Sequence, residues 1–325
     1  MSTRRRFLAG AGATAAGCCF ALPVLAASGG RRLVRIGLIA DVHKDIMPDA
    51  DERLLAFIGA AETAKVDAIV QLGDFCVPKP ENRGFLDIFH RFDGPRFHVL
   101  GNHDTDGGFT REQTMDFWGM ERRFGSFDLG GFHFIHLDAN DRPEGWKSGY
   151  PHFIAEVQVR WLRRDLAATR LPTFVFSHQS LERPGCIDNQ EEIRSILEAG
   201  RLENGDRKVA GCFNGHWHID HHRVIGGIPY VHINSASYFW LGAAWRHERL
   251  PPGLAKRFPH VSSTAPYTKP LFTILEIDPV KGRFTLRSAA AEWMGPSPAE
   301  LGRPFAPGEE DFVKPAISAL DLAIA

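Results

Sequence analysis

Leu33-Val-Arg-Ile-Gly-Leu-Ile-Ala-Asp-Val-His43 is an apolar run that stops on a carboxylate and, two residues later, on an imidazole. Its aliphatic part, Leu33–Ala40, reads as a buried strand. Asp41 and His43 leave the strand end at i and i+2, a spacing that sends both side chains to one side. The same pattern returns along the chain. Ala68-Ile-Val-Gln-Leu72 runs into Gly73-Asp74, and Arg96-Phe-His-Val-Leu100 into Gly101-Asn-His-Asp104. Pro172-Thr-Phe-Val-Phe-Ser177 runs into His178, and Val209-Ala-Gly-Cys-Phe-Asn214 into Gly215-His-Trp-His218.

Helical periodicity lies between the first strands. Residues 51–65 carry Leu54, Leu55, Ile58 and Ala61 on one face, and Gly84–Phe92 forms a second helix. Strand alternating with helix, with polar residues at the strands' carboxyl ends, is the pattern of a mostly parallel α/β sheet with its site along that rim. Later in the chain the turns tighten. Gly130-Gly131, Gly226-Gly227 and Asp278-Pro-Val-Lys-Gly282 each predict a hairpin, and Ile154–Thr169 an amphipathic helix. Two sheets with helices outside them, a four-layer α/β/β/α sandwich over residues 31–290, is the economical packing. Leu241–Lys269 reads as irregular, and residues 291–325 as a Pro-rich tail turning helical from Val313.

Composition narrows the chemistry. The 325 residues are 44% hydrophobic and 24% charged, with a net charge of −1. No basic surplus points to a nucleic-acid polymer. Histidine is frequent, at 15 residues. The motifs supply Asp41, His43, Asp74, Asn102, His178, His216 and His218 as candidate metal ligands. Carboxylate, amide oxygen and imidazole together suit two divalent or trivalent ions such as Mn, Fe or Zn. Asp74 has two oxygens with which to bridge two cations, which an imidazole lacks. Asn102 offers a neutral oxygen and leaves His103 free beside it. A small-molecule phosphate ester is the substrate class this ligand mix serves, and the oligomeric state is open.

On these motifs the chain resembles the calcineurin-like metallophosphoesterase superfamily, over roughly Arg35–Asn234. The resemblance implies that Asp41, His43, Asp74 and His218 hold one metal. It implies that Asp74, Asn102, His178 and His216 hold the second, and that a metal-bridging hydroxide attacks phosphorus. It makes His103 a general acid or phosphate contact, oriented by a carboxylate such as Asp104 or Asp74. The segment after Asp74 is Phe-Cys-Val, without the tyrosine that purple acid phosphatases carry there. Gly-Asn-His-Asp with Gly-His-x-His looks more like the bacterial cyclic-nucleotide and glycerophosphodiester phosphodiesterases. Gln179 departs from them, since a second histidine often follows the first at that point. Phosphodiester hydrolysis is thus expected ahead of phosphomonoester hydrolysis, with a non-catalytic binding module on the same fold as the rival.

Five cysteines occur without regular spacing, two of them in the leader, so no disulfide framework is expected; Cys76, two residues after Asp74, reads as a small buried hydrophobe. Lys44 reads as solvated and His221 and His222 as strand-edge residues. His133 and His136 read as structural, and Trp217, Tyr238 and Trp240 as packing residues near the motifs.

The first 30 residues read as a twin-arginine export signal. Thr3-Arg-Arg-Arg-Phe-Leu8 precedes a Gly/Ala-rich apolar stretch that ends near Ala27. That implies a periplasmic or exported protein with no stable membrane span once the signal is removed. Replacing Arg4 and Arg5 with Lys is expected to strand the precursor in the cytoplasm. Fractionation showing unchanged export of the double variant would reject this route.

Overall fold

The computed structural model describes residues 32–324. The leader expected over residues 1–30 lies outside them. Strands β1 (Val34–Ile39), β2 (Ala68–Gln71), β3 (Arg96–His98), β4 (Gly125–Leu129) and β5 (Phe132–His136) come first. Next are β6 (Thr173–Phe176), β7 (Val209–Asn214), β8 (His221–Ile225), β9 (Ile228–His232), β10 (Tyr238–Trp240) and β11 (Thr264–Pro266). The last are β12 (Thr273–Asp278), β13 (Arg283–Leu286), β14 (Ala289–Ala290), β15 (Ala316–Ile317) and β16 (Leu320–Ala323). The helices are α1 (Ala50–Thr63), α2 (Arg83–Phe89), α3 (Arg111–Trp118), α4 (Glu156–Ala168), α5 (Gln190–Ala199) and α6 (Pro252–Arg257).

Two six-stranded sheets carry the architecture, in the orders β16-β13-β12-β1-β2-β3 and β4-β5-β6-β7-β9-β8. β1, β2 and β3 are parallel, as are β5, β6, β7 and β9. Alternation along each strand sorts side chains into layers. Val34, Ile36 and Leu38 of β1 enter the core between the sheets, where they join Phe132, Phe134, Phe174, Phe176 and Phe284. Ile39 turns outward to the core under α1 and α2. Gly37 also faces that side, and a Cβ there would lie 3.2 Å from the Phe57 ring. Ile135 and Val175 point the other way, to α4 and α5. The expected four-layer sandwich is therefore the observed one. A register shift at Thr173/Phe174 puts Gly211 opposite Phe174, so Phe213 faces inward and Cys212 outward.

Three local expectations change. Leu55 is 41% exposed, and Phe57 takes the buried position on α1. The rest of the expected stripe holds, and α1 packs with Leu54, Phe57, Ile58 and Ala61 inward at helical spacing. The stretch expected to be irregular contains α6 and β11, and β11 pairs with β10. The tail is not helical from Val313. β16 pairs antiparallel with β13, and Leu320, Leu322 and Ile324 pack on the inter-sheet core. Alternation in Leu320-Asp-Leu-Ala323, with Leu inward, outweighs its helix propensity once a free sheet edge is available. The described residues beyond 290 join the same structure, β15 pairing with β14 and β16 with β13.

Ending the chain at Ser318 uncovers the β13 edge and three partly buried apolar side chains. Stability should fall by about 2–4 kcal/mol in a denaturant melt. An unchanged midpoint would mean that the final strand contributes nothing.

Candidate dinuclear metal centre

The motifs leave their strands through an unusual backbone. Six non-glycine residues among those described have positive φ, and five of them are candidate ligands: Asp41, His43, Asp74, His216 and His218. Each such turn costs about 1–3 kcal/mol unless its surroundings hold it. The surroundings do so here. Asp41 N–H donates to the Gly73 carbonyl at 3.0 Å, and His43 N–H to that of Asp74 at 2.9 Å. Ser235 Oγ donates to the Asp41 carbonyl at 2.9 Å, and Ser237 Oγ to that of Val42 at 2.8 Å. The buried Arg53 guanidinium in turn bonds the Ala236 and Tyr267 carbonyls, fixing the serine loop. Two glycines are there for space: a Cβ on Gly101 would overlap the carboxylate and backbone nitrogen of Asp74, and one on Gly215 would overlap the Asp41 carboxylate.

All seven candidate ligands come together at the strands' carboxyl ends, and two clusters could each hold a metal ion: Asp41, His43 and His218, and Asp74, His178 and His216. In the first, His218 Nε2 lies 3.3 Å from His43 Nε2 and 3.2 Å from Asp41 Oδ1. In the second, His178 Nε2 lies 3.2 Å from His216 Nδ1, 3.2 Å from Asn102 Oδ1 and 3.1 Å from Asp74 Oδ2. Asp74 Oδ2 is also 3.6 Å from His43 Nε2, so a single oxygen faces both clusters. The other oxygen, Oδ1, accepts the His103 backbone N–H at 2.8 Å. The carboxylate thus spans the clusters through one oxygen and not two.

This donor set fits cations. His178 Nδ1 donates to the Leu72 carbonyl at 2.8 Å, and His218 Nδ1 to that of Tyr238 at 2.7 Å. Those bonds fix the tautomer and aim a lone pair from each Nε2 into the centre. Lone pairs facing each other across the observed gaps repel unless a cation sits between them. Metal–ligand bonds of about 2.0–2.2 Å put neighbouring donors roughly 3–3.4 Å apart, which matches the 3.1–3.3 Å gaps above, while His43 Nε2 sits wider, 3.6 Å from Asp74 Oδ2 and 3.9 Å from Asp41 Oδ1.

Electrostatics follow from burial. Desolvation pushes the His43 imidazole well down, and takes His216 to about 3, with help from the His178 charge. Burial also opposes charge on His178, but Asp74 and then Asp41 outweigh it and raise the group to about 9, so its Nε2 lone pair takes a proton toward Asp74 wherever a cation does not take it. Burial acts to raise Asp74, yet His178 and His103 hold its carboxyl well below the usual range. His103 is likewise opposed by burial and raised to about 9 by Asp74 and Asp106.

Asp104 does not orient His103. Its Oδ2 accepts the N–H groups of Gly101 at 2.7 Å and Asp74 at 3.0 Å, and its Oδ1 that of Phe75 at 2.7 Å. It staples the loops after β2 and β3 together. Burial and the adjacent Asp74 push its carboxyl up to about 8, against the pull of those amides. The carboxylate on His103 Nδ1 is Asp106, at 2.7 Å, joined by the Tyr150 hydroxyl at 3.0 Å. Both were missed in the sequence, as were Ser235, Ser237 and Arg53. Asp106 could have been found from its i+3 spacing to His103; Tyr150 arrives from a distant loop with no local signal.

The remaining candidates settle into packing. The Tyr238 ring lies 5.0 Å from that of His43 and 4.9 Å from that of His218. Trp217 donates to Cys186 Sγ at 3.2 Å beneath Arg183, while Trp240 is 44% exposed. Gln179 donates to Asn140 Oδ1 at 2.7 Å. Lys44 is paired with Asp51 at 2.7 Å rather than solvated. Cys76 is buried and its thiol is pushed well up by desolvation, an inert packing residue. His133 is held between Asp128 and Asp165.

A four-layer sandwich that brings two carboxylate–histidine clusters to its strand ends has the architecture of a metallophosphoesterase. A family model for calcineurin-like phosphoesterase matches residues 34–220, and the chain belongs to that family. Among solved structures it is similar to a dimetal phosphatase from Danio rerio, with a TM-score of 0.60 and 16% identity, over 90% of this chain and 99% of the other. It is also similar to GAP50, the anchor in the inner membrane complex of Plasmodium, with a TM-score of 0.53 and 14% identity over 90% of each chain. No curated protein matches the chain.

Gly101→Ala tests how tightly the centre is built. The added methyl must displace Asp74, so the variant should hold less than half the wild-type metal and lose at least about 10²-fold in activity. A Gly101→Ala protein with full metal content would show that the loops give way easily.

Proposed function

We propose that this chain is an exported two-metal phosphoric ester hydrolase that prefers phosphodiesters. One observation carries the reading: the donor atoms of two clusters converge on Asp74 Oδ2. Asp41, His43, Asp74 and His218 would hold one ion, and Asp74, Asn102, His178 and His216 the other. Bound Mn, Fe or Zn would supply Lewis-acid activation of water and neutralise charge on the phosphoryl oxygens. His103 stands beside the second cluster, its backbone tied to Asp74 and its Nδ1 to Asp106. Its Nε2 is the proton donor for the leaving oxygen.

The diester preference is supported by the motifs: Gly101-Asn-His-Asp104 and Gly215-His-Trp-His218 look like those of bacterial phosphodiesterases, and Phe75 stands where purple acid phosphatases carry a tyrosine. The bacterial cyclic-nucleotide and glycerophosphodiester enzymes are the branch this favours. The fold is shared by a phosphatase and by an anchor protein, so fold alone does not separate catalysis from binding. The complete donor set favours catalysis.

The test is a substrate panel with added Mn²⁺: aryl phosphodiesters, aryl monoesters, cyclic nucleotides and glycerophosphodiesters. Diesters should exceed monoesters in kcat/KM by at least about tenfold, a margin of ~1.4 kcal/mol in transition-state binding. The reverse order would make the chain a phosphatase. A protein holding two ions and turning over none of the panel would be a binding module.

A further inference from the structure

The loop between β5 and α4 makes an excursion over residues 142–152. Its base is closed by Phe153 N–H donating to the Ala139 carbonyl at 2.8 Å and Asp141 N–H to that of Phe153 at 3.0 Å. Beyond that base the loop is mostly exposed, with left-handed glycines at Gly145 and Gly149. Tyr150 brings it to the centre. The Tyr150 ring is 46% exposed and lies 4.7 Å from the ring of His103. Its hydroxyl donates to Asp106 Oδ1 at 2.8 Å and lies 3.0 Å from His103 Nδ1. Asp106 Oδ2 accepts from His103 Nδ1 at 2.7 Å. The three side chains close a triangle around one ring nitrogen.

We propose that Tyr150 and Asp106 are positioning residues that fix the His103 imidazole, so that the loop carrying Tyr150 controls proton delivery to the leaving group. The proposal rests on the reading of His103 as the acid. A carboxylate on Nδ1 alone leaves an imidazole free to swing about its χ angles. The hydroxyl, bonded to the second carboxylate oxygen, holds the carboxylate itself in plane. No hydrogen bond among the described residues engages Nε2, which lies on the far edge of a ring 5.3 Å from that of His43. Water supplies the oxygen that joins phosphorus. The bond from phosphorus to the leaving oxygen breaks, its electron pair stays on that oxygen, and Nε2–H protonates it. Nδ1–H remains with Asp106 throughout, and a proton from the attacking water restores His103.

The leaving group reports on this arrangement, because an acidic phenol departs without needing the proton. Wild type, His103→Ala, Tyr150→Phe and Asp106→Ala are compared, Mn²⁺-loaded, on aryl phosphodiesters ranging from nitrophenol to phenol leaving groups. Metal content is measured in each. Tyr150→Phe should lose about 10-fold in kcat on the phenol ester and about twofold on the nitrophenol ester. Asp106→Ala should lose about 10²-fold and His103→Ala about 10²–10⁴-fold on the phenol ester, with the loss again shrinking as the leaving group becomes more acidic. All variants should keep the wild-type metal content. If His103→Ala depends on the leaving group while Tyr150→Phe and Asp106→Ala lose nothing or lose evenly, the positioning role is wrong and His103 as acid stands. If His103→Ala itself loses evenly across the series, the acid reading fails and this proposal with it.

Discussion

One oxygen organises this molecule. Asp74 Oδ2 is buried 3.1 Å from one histidine and 3.6 Å from another, each belonging to a different cluster. Two carboxylates and four imidazoles are packed here in a pocket that offers few protein partners for their charges and lone pairs. Such a collection is costly to bury unless something positive completes it. The surrounding structure is built around that oxygen. Gly101 omits a side chain to make room for Asp74, and Asp104 spends its carboxylate on backbone amides on either side of it. Ser235, Ser237 and Arg53 hold the opposing loop in its left-handed turn.

Much of this was readable in the amino-acid sequence, and the physical reason is periodicity. Parallel strands buried on both faces are apolar along most of their length, so β1, β2, β6 and β7 stand out, and each ends shortly before a ligand begins. Six of the seven candidate ligands sit within a few residues of such an end, and Asn102 follows the shorter, partly exposed β3. What could not be read is what long-range pairing decides. Leu320–Ala323 is too short to declare itself a strand, and becomes one because β13 offers an edge. Leu55 and Phe57 are two residues apart on opposite sides of α1, and only the sheet beneath α1 decides which is buried.

The roles of neighbouring residues were harder still. Asp104 follows His103 directly, and adjacency made it the natural orienting carboxylate. A residue at i+1 on a tight turn points elsewhere, and Asp106 at i+3 returns to the same side. Tyr150 lies 47 residues beyond His103, on an excursion whose base is pinned by Ala139, Asp141 and Phe153. Donor spacing sets which ions are held, and these later contacts set what the site can do with them.

The central claim is that Asp74 is shared between two ions. Metal content of the purified protein, measured by elemental analysis after saturation with Mn²⁺ or Zn²⁺ and gel filtration, tests it most directly when wild type is set against Asp74→Asn. The account predicts two ions per chain in the wild type and a loss from both sites in the variant, leaving well under one. An Asp74→Asn protein that keeps two tightly held ions, or a wild type that holds only one, would contradict it.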